Sequence, residues 1–344
     1  MSTDKLFEIA KNGRDDLYYL CRNILGFEKV RPKPHQELAD WLANNPKKVK
    51  LILMPRGSFK STVVTVGHTI QRLIKNPNET ILISSETQSN AIKFVGEIKN
   101  HLEQNKKFRA LYGDWVNKGN TWKTNEFVVK CRDPEKNKKE STVTAGSLEK
   151  GTLTGQHYDT IFLDDVVSAS NINSDAQIQK TIDHYKLLLS ILNPGGQIIV
   201  IGTRWSHAEL YSFLMDPEGP EYEHTSVFIR EAEDEHGKLL MPEVLTREFL
   251  DRQKKTQGKW IYSCQYLNRP TSSDINIFKK EDIKYYEEVP YGVHYFITVD
   301  PAISLKAQSD FSALIVNAVD YYHRWFICEA LNLKLGPKIV TGKQ

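Results

Sequence analysis

Apolar residues at Leu6, Phe7, Ala10, Leu17, Leu20, Cys21 and Ile24 fall on one face of a 3.6-residue period and predict a helix over residues 4–25, ending at Gly26. Pro32 and Pro34 then fix the approach to a second helix that runs through Trp41. Beyond it the pattern changes to short continuous apolar runs. One ends at Met54, one covers 80–84, one covers 160–163 and one covers 197–201, and each reads as a strand buried on both faces. Helical patterns separate them, one reaching about Leu73 and one over 87–102, while 128–143 is polar, lysine-rich and hairpin-like. Strands alternating with helices predict an α/β fold around a mainly parallel sheet. The four strands end in small or polar residues, after Met54, at Ser84, at Asp164 and at Gly202. Ligands bind beyond the carboxyl ends of parallel strands, so these ends are expected to converge on one site. They also imply an extra strand between the one ending at Met54 and the one ending at Asp164.

Two of the ends carry candidate chemistry. The run Leu51-Ile-Leu-Met-Pro-Arg-Gly-Ser-Phe-Lys-Ser-Thr62 passes from a strand through a turn at Gly57 into a helix. A helix start offers backbone N–H groups to phosphate oxygens, Lys60 adds an ammonium, and Ser61 offers a hydroxyl to Mg2+. The phosphate-loop template has glycines where this chain has Met54 and Phe59, so a merely structural Lys-Ser-Thr helix start is the alternative. The run Asp159-Thr-Ile-Phe-Leu-Asp-Asp165 ends a strand in two acids. Asp164 suits a metal and Asp165 the orientation of an attacking water; the alternative is an acidic cap on the next helix, from Asp165 or Ser168. Together the two segments predict a P-loop NTPase that uses ATP and Mg2+.

Composition narrows the class. The chain has 344 residues, 40% hydrophobic and 26% charged, which suits two domains of ordinary globular character. A net charge of +3 permits a nucleic-acid partner without requiring one. Cys21, Cys131, Cys264 and Cys328 form no C-x-x-C pair, which argues against a zinc ribbon and fits a reducing compartment. Asp4, Lys5 and Glu8 stand where a signal peptide would be apolar, and no apolar run reaches membrane-spanning length, so a cytosolic protein without a membrane role is expected.

Arg56 ahead of Gly57-Ser-Phe-Lys-Ser-Thr62, the acids of Leu163-Asp-Asp165, Gly202-Thr-Arg-Trp205 and Tyr266-Leu-Asn-Arg-Pro270, in that order, resemble the large terminase subunit of tailed bacteriophages. The resemblance extends from about Arg31 to about Val316. It implies a motor that drives double-stranded DNA into a procapsid, working as a homo-oligomeric ring with a portal protein and a small terminase subunit in the host cytoplasm. It further implies that Gln36 contacts adenine, that Arg56 is the additional basic residue of a variant phosphate loop, that Gly57, Ser58, Lys60, Ser61 and Thr62 hold phosphates, and that Thr203 couples hydrolysis to movement. Two departures stand out. Phe59 replaces a small residue, either restricting the loop or packing beneath it. Asp165 stands where many members have glutamate, one methylene longer; Glu86 or Glu149 is the alternative acid. Lys150 is a candidate for the basic group that a ring neighbour would supply, although it lacks the guanidinium fork.

The expected organisation is an ATPase motor over 1–270, with 1–45 as its N-terminal adenine-side segment, a linker over 271–290, and a second domain over 291–344. Strands at 295–299, 313–319 and 325–331, the first ending at Asp300, look like the opening of the RNase H-like endonuclease of such proteins. That chemistry needs several carboxylates around two metal ions. Asp300 supplies one and Asp310 is either a second or a loop acid, so the nuclease is expected to be incomplete within this sequence. Four basic clusters are candidates for DNA phosphates: Lys47, Lys48 and Lys50; Lys106, Lys107 and Arg109; the run 130–139; and Arg252, Lys254, Lys255 and Lys259. A helicase-like ATPase and a nucleotide-binding scaffold without turnover are the competing readings.

Overall fold

The computed structural model describes residues 2–117, 119, 121–147, 155–270, 284–300 and 312–333. The chain divides into two compact units, Met1–Asp274 and Ile275–Gln344.

The first unit is built on β1 (Val49–Leu53), β2 (Ile81–Ser85), β3 (Glu126–Phe127), β4 (Val143–Ser147), β5 (Tyr158–Asp164), β6 (Leu192–Gly202) and β7 (Thr225–Ile229). They form one sheet in the order β3-β4-β2-β5-β6-β1-β7, in which only the two-residue β3 is antiparallel. The mixed α/β fold with a mainly parallel sheet is therefore as the sequence pattern predicts. The extra strand is β6, paired with β1 on one side and β5 on the other.

Alternate residues of the central strands supply two separate cores. Ile52, Ile83, Phe162, Ile199 and Ile201 pack with Val63, Val66, Ile70 and Leu73 of the helix after β1 and with Ala91, Val95, Ile98 and Leu102 of helix Gln88–Gln104. Leu51, Leu53, Leu82, Leu163 and Val200 face the other way, onto Tyr185, Leu188, Leu210, Tyr211 and Leu214. Burial on both faces is why β1 and β2 read as continuous apolar runs instead of alternating ones.

Three local readings change. The N-terminal helix breaks at Asp16, which leaves the helical conformation after Thr3–Asp15 and accepts the Tyr19 amide at 3.0 Å to start a new turn. The chain then winds loosely through Leu20–Leu25 and stops at Gly26, whose φ of 82° suits glycine. The hairpin-like stretch is a long excursion between β3 and β4, closed by Phe127 opposite Val143. The strand predicted at 197–201 begins at Leu192.

The second unit contains β8 (His294–Asp300), β9 (Ser312–Val319) and β10 (Trp325–Leu333), an antiparallel sheet in the order β10-β9-β8. These are the three strands expected after residue 290. Of the linker expected over 271–290, residues 271–283 lie outside the described residues.

Candidate nucleotide site

The carboxyl ends of β2, β5, β6 and β1 lie side by side. Ser85 is level with Asp164, Asp164 with Ile201, and Gly202 with Leu53. The four ends picked out in the sequence thus meet along one edge of the sheet.

Past β1 the chain turns sharply, with the Ser58 amide bonded to the Pro55 carbonyl at 3.2 Å. Gly57 sits third in this turn at φ 81°, the conformation that a type II turn asks of glycine. Phe59, at the template's second glycine position, also adopts a left-handed φ of 60°. A bulky side chain there costs backbone strain, and strain of this kind gathers at functional sites. Its half-buried ring carries the Lys29 ammonium 5.8 Å from the centroid. The chain becomes helical at Lys60 and stays so through Thr62–His68 and Thr69–Lys75. Lys60 is 6% exposed; Ser58 is buried, Ser61 and Thr62 are half-buried, and Arg56 and Gly57 are exposed.

Two supports for this loop escape sequence reasoning. His35 is fully buried and donates from Nε2 to the Ser58 carbonyl at 2.7 Å, while its Nδ1 receives the Arg31 amide at 2.9 Å. Burial holds its pKa below the usual imidazole value, so the ring is neutral. The Arg56 amide bonds the Gln265 carbonyl at 2.9 Å, near the end of helix Arg247–Leu267. Asn268, which follows at φ 51°, accepts the Arg204 amide at 3.2 Å and donates to the Arg230 carbonyl at 2.9 Å. Gln265 and Asn268, just before and within the Tyr266-Leu-Asn-Arg-Pro270 segment, thereby link the phosphate-loop candidate to the turn after β6.

Asp164 closes the site from β5. It is 1% exposed, takes the Ser61 hydroxyl on Oδ1 at 2.9 Å, and takes the Thr65 hydroxyl on Oδ2. Burial, reinforced by the charge of Asp165, raises its pKa well above the carboxylate range; Thr65, Lys60 and Ser61 oppose the shift. A buried carboxylate whose charge is this costly, bonded to a serine hydroxyl at a helix start, fits a hard divalent cation. Mg2+ takes one or two such protein oxygens and completes its shell with phosphate and water. No cluster of three or more His, Cys, Asp or Glu residues suited to a metal occurs among the described residues, and Mg2+ in this setting does not need one.

Asp165 is exposed at φ 45°, with its amide on the Ile201 carbonyl at 2.9 Å. Ser168, weighed as a helix cap, does cap: it forms a capping box with Asn171 on the short turn Ala169–Asn171. Glu86, at the neighbouring strand end, receives the Ser168 and Ser170 hydroxyls, each at 2.5 Å. Thr203 is buried just past β6. Arg204 beside it is bound by Glu209 at 2.5 Å and by the Ser212 hydroxyl at 2.8 Å, while Glu209 also takes the Trp205 and Ser206 amides. Glu209 thus organises the turn after Gly202, and the Ser206 hydroxyl accepts the Ala208 amide at 3.2 Å within it.

Gln36, the adenine candidate, is half-buried and donates to Asp40 at 2.9 Å. Lys150, Glu149 and Asp310 lie outside the described residues. Asp300 ends β8 and is exposed, in the second unit. Of the basic clusters, the first is tied inward: Lys50 bonds Gln197 and Lys47 bonds the Thr225 carbonyl. Lys107 reaches the Asn23 carbonyl and Arg109 the Glu103 carbonyl. In the 130–139 run Lys130 pairs with Asp114 and Lys138 with Asp159. Arg252, Lys255 and Lys259 are exposed and form no ion pair among the described residues.

No family model matches the chain, and no curated protein does. Solved structures do. The chain is similar to the large terminase of bacteriophage HK97 with a TM-score of 0.52 and 16% identity, over 86% of this chain and 62% of that one. It thus spans about three fifths of the HK97 chain. The large terminase of a thermophilic bacteriophage, in complex with ADP, gives a TM-score of 0.44 at 10% identity, over 91% of this chain and 70% of that one. The HK97 likeness is one of fold, and it agrees with the family that the motifs resemble. No helix among the described residues is long and apolar enough to cross a membrane.

Proposed function

We propose that the chain is the ATPase of a viral DNA-packaging motor, a large terminase subunit that hydrolyses ATP to move double-stranded DNA. The observation that carries this reading is the Lys60-Ser61-Asp164 arrangement at the carboxyl ends of β1 and β5, with β6 between them. Lys60 and the amides of Gly57, Ser58 and the helix start would hold the phosphates, and Ser61 and Asp164 would hold Mg2+. When bound, Mg2+ neutralises charge building on the phosphoryl oxygens. Asp165 orients the attacking water, Arg56 adds positive charge at the loop, Thr62 supports the helix start and Gln36 faces the adenine.

Movement would pass from Thr203 through Arg204, Asn268 and Gln265 back to Arg56, because these bonds join the acid side of the site to the loop side. The working unit is a ring of identical chains seated on a portal protein, supplied with DNA by a small terminase subunit in the cytoplasm of the infected bacterium and docked on the procapsid. Lys150 is the candidate group offered to a neighbour's site. The second unit, with Asp300, is read as part of an RNase H-like endonuclease that needs further carboxylates for its two metal ions.

Steady-state ATP turnover with and without double-stranded DNA tests the reading, with Lys60→Ala and Asp164→Ala as controls. DNA-stimulated turnover lost in both variants supports it. ATP binding without turnover favours the scaffold, in which the strained Phe59 loop grips nucleotide without reacting. Equal stimulation by single-stranded DNA favours the helicase.

A further inference from the structure

Beneath the acid end of the site lies a hydroxyl that the proposed chemistry has not used. Tyr211, on the short helix Leu210–Met215, is fully buried among Leu53, Leu163 and Val200 and the other side chains of that core. Its ring runs up against Gly202 so closely that a Cβ at that position would overlap the phenol oxygen. Gly202 is the last residue of β6, and the Ile201 carbonyl beside it holds the Asp165 amide. The phenol oxygen thus sits under the strand end next to Asp165. The Val167 amide points its N–H at this oxygen, and the hydroxyl's own proton has no acceptor among the described residues.

A buried hydroxyl whose proton has no acceptor destabilises a fold, and phenylalanine would fill the same space without that cost. The group therefore calls for a partner in another state of the site. Asp165 needs one as well: its arm is a methylene shorter than glutamate's, and its left-handed backbone at φ 45° holds a strained position. Burial, with the charges of Asp165 and Glu209, keeps the phenol protonated, so it remains a donor.

We propose that Tyr211 is a positioning residue for hydrolysis: as the phosphoryl group is transferred, its hydroxyl donates to the Asp165 carboxylate and steadies that short acid against the attacking water. The inference rests on the proposed ATPase function. It also gives Gly202 a purpose, because any side chain there would displace the phenol.

Tyr211→Phe tests it, since the ring and its packing remain. Three quantities are compared with those of the intact protein: kcat, KM for ATP, and affinity for ADP with aluminium fluoride set against affinity for ADP alone. The expected result is a fall in kcat of about tenfold or more, matched by weaker binding of ADP–aluminium fluoride, with KM and ADP affinity within about twofold and thermal stability equal or higher. Unchanged kcat, or kcat and ADP affinity falling in proportion, overturns it. If the intact protein binds no ADP, the ATPase reading fails and this inference with it; if the intact protein works and Tyr211→Phe equals it, only the inference fails.

Discussion

β5 and β8 are each seven residues long and each closes on an acid, Asp164 in one and Asp300 in the other. Their surroundings differ completely. β5 lies inside a seven-stranded sheet, and Asp164 is 1% exposed and held by two hydroxyls. β8 is the edge of a three-stranded sheet and is exposed along its whole length, Asp300 included. The same ending, an apolar run stopped by a carboxylate, meets a second chemical group at Asp164 and meets none at Asp300 among the described residues. For Asp164 the groups are Ser61 and Lys60, from a loop about a hundred residues earlier in the chain.

The largest effect expected from this contrast is on turnover. Lys60→Ala or Asp164→Ala should lower kcat by about 100-fold or more, because each removes charge stabilisation in the transition state. Asp300→Ala should leave ATP turnover within about twofold. A loss from Asp300→Ala equal to that from Asp164→Ala would erase the contrast.

Next in size is a stability effect. Glu209→Ala leaves the largely buried Arg204 guanidinium without its counter-charge, which costs about 3–5 kcal/mol in urea unfolding of the first unit. A cost under about 1 kcal/mol would mean that the pair is solvated, as an exposed pair would be.

The elements show how far the sequence alone could go. Buried parallel strands announce themselves as continuous apolar runs, so β1, β2, β5 and β6 and their convergence could be read directly. Gly57 was legible because a sharp turn asks for it. His35 and Asn268 were not, since their work is a bond to backbone groups far away in the chain: the Ser58 carbonyl for one, the Arg204 amide and the Arg230 carbonyl for the other. Glu209 was missed because a lone glutamate ahead of a short helix looks like a surface acid until Arg204 is folded against it. The 130–139 run holds a detail of the same kind. Its charges read as a DNA surface, and spacing alone does not announce that Lys130 and Lys138 pair with acids of the same chain, at 114 and 159.

A smaller effect tests the loop's support. His35→Ala removes the donor to the Ser58 carbonyl and should cost about 1–3 kcal/mol of stability, with a raised KM for ATP and a smaller change in kcat. An unchanged KM would mean that the loop keeps its shape unaided.

Acid provides the mildest perturbation. His35, His68 and His184 are all held neutral by burial, His184 with its pKa pushed down to about 4. Their folded-state pKa values lie below the unfolded one, so the unfolded chain binds more protons and stability rises with pH across that interval. The histidines' share of stability should fall progressively as pH drops from about 6.5, the ordinary histidine value, towards 4. Asp164, with its raised pKa, acts the opposite way over the same interval, so the share is read as the difference between the intact protein and His184→Phe. Thermal midpoints of the two across that range provide the check, and parallel profiles would count against a buried neutral ring.

The most direct test of the central claim, that the strand ends around Lys60 and Asp164 form an ATP-hydrolysing site driven by DNA, is steady-state phosphate release by the intact chain with and without double-stranded DNA, alongside Lys60→Ala. Turnover that rises with DNA and vanishes in the variant is the expected result. Turnover absent under both conditions, or equal in the variant, would contradict it.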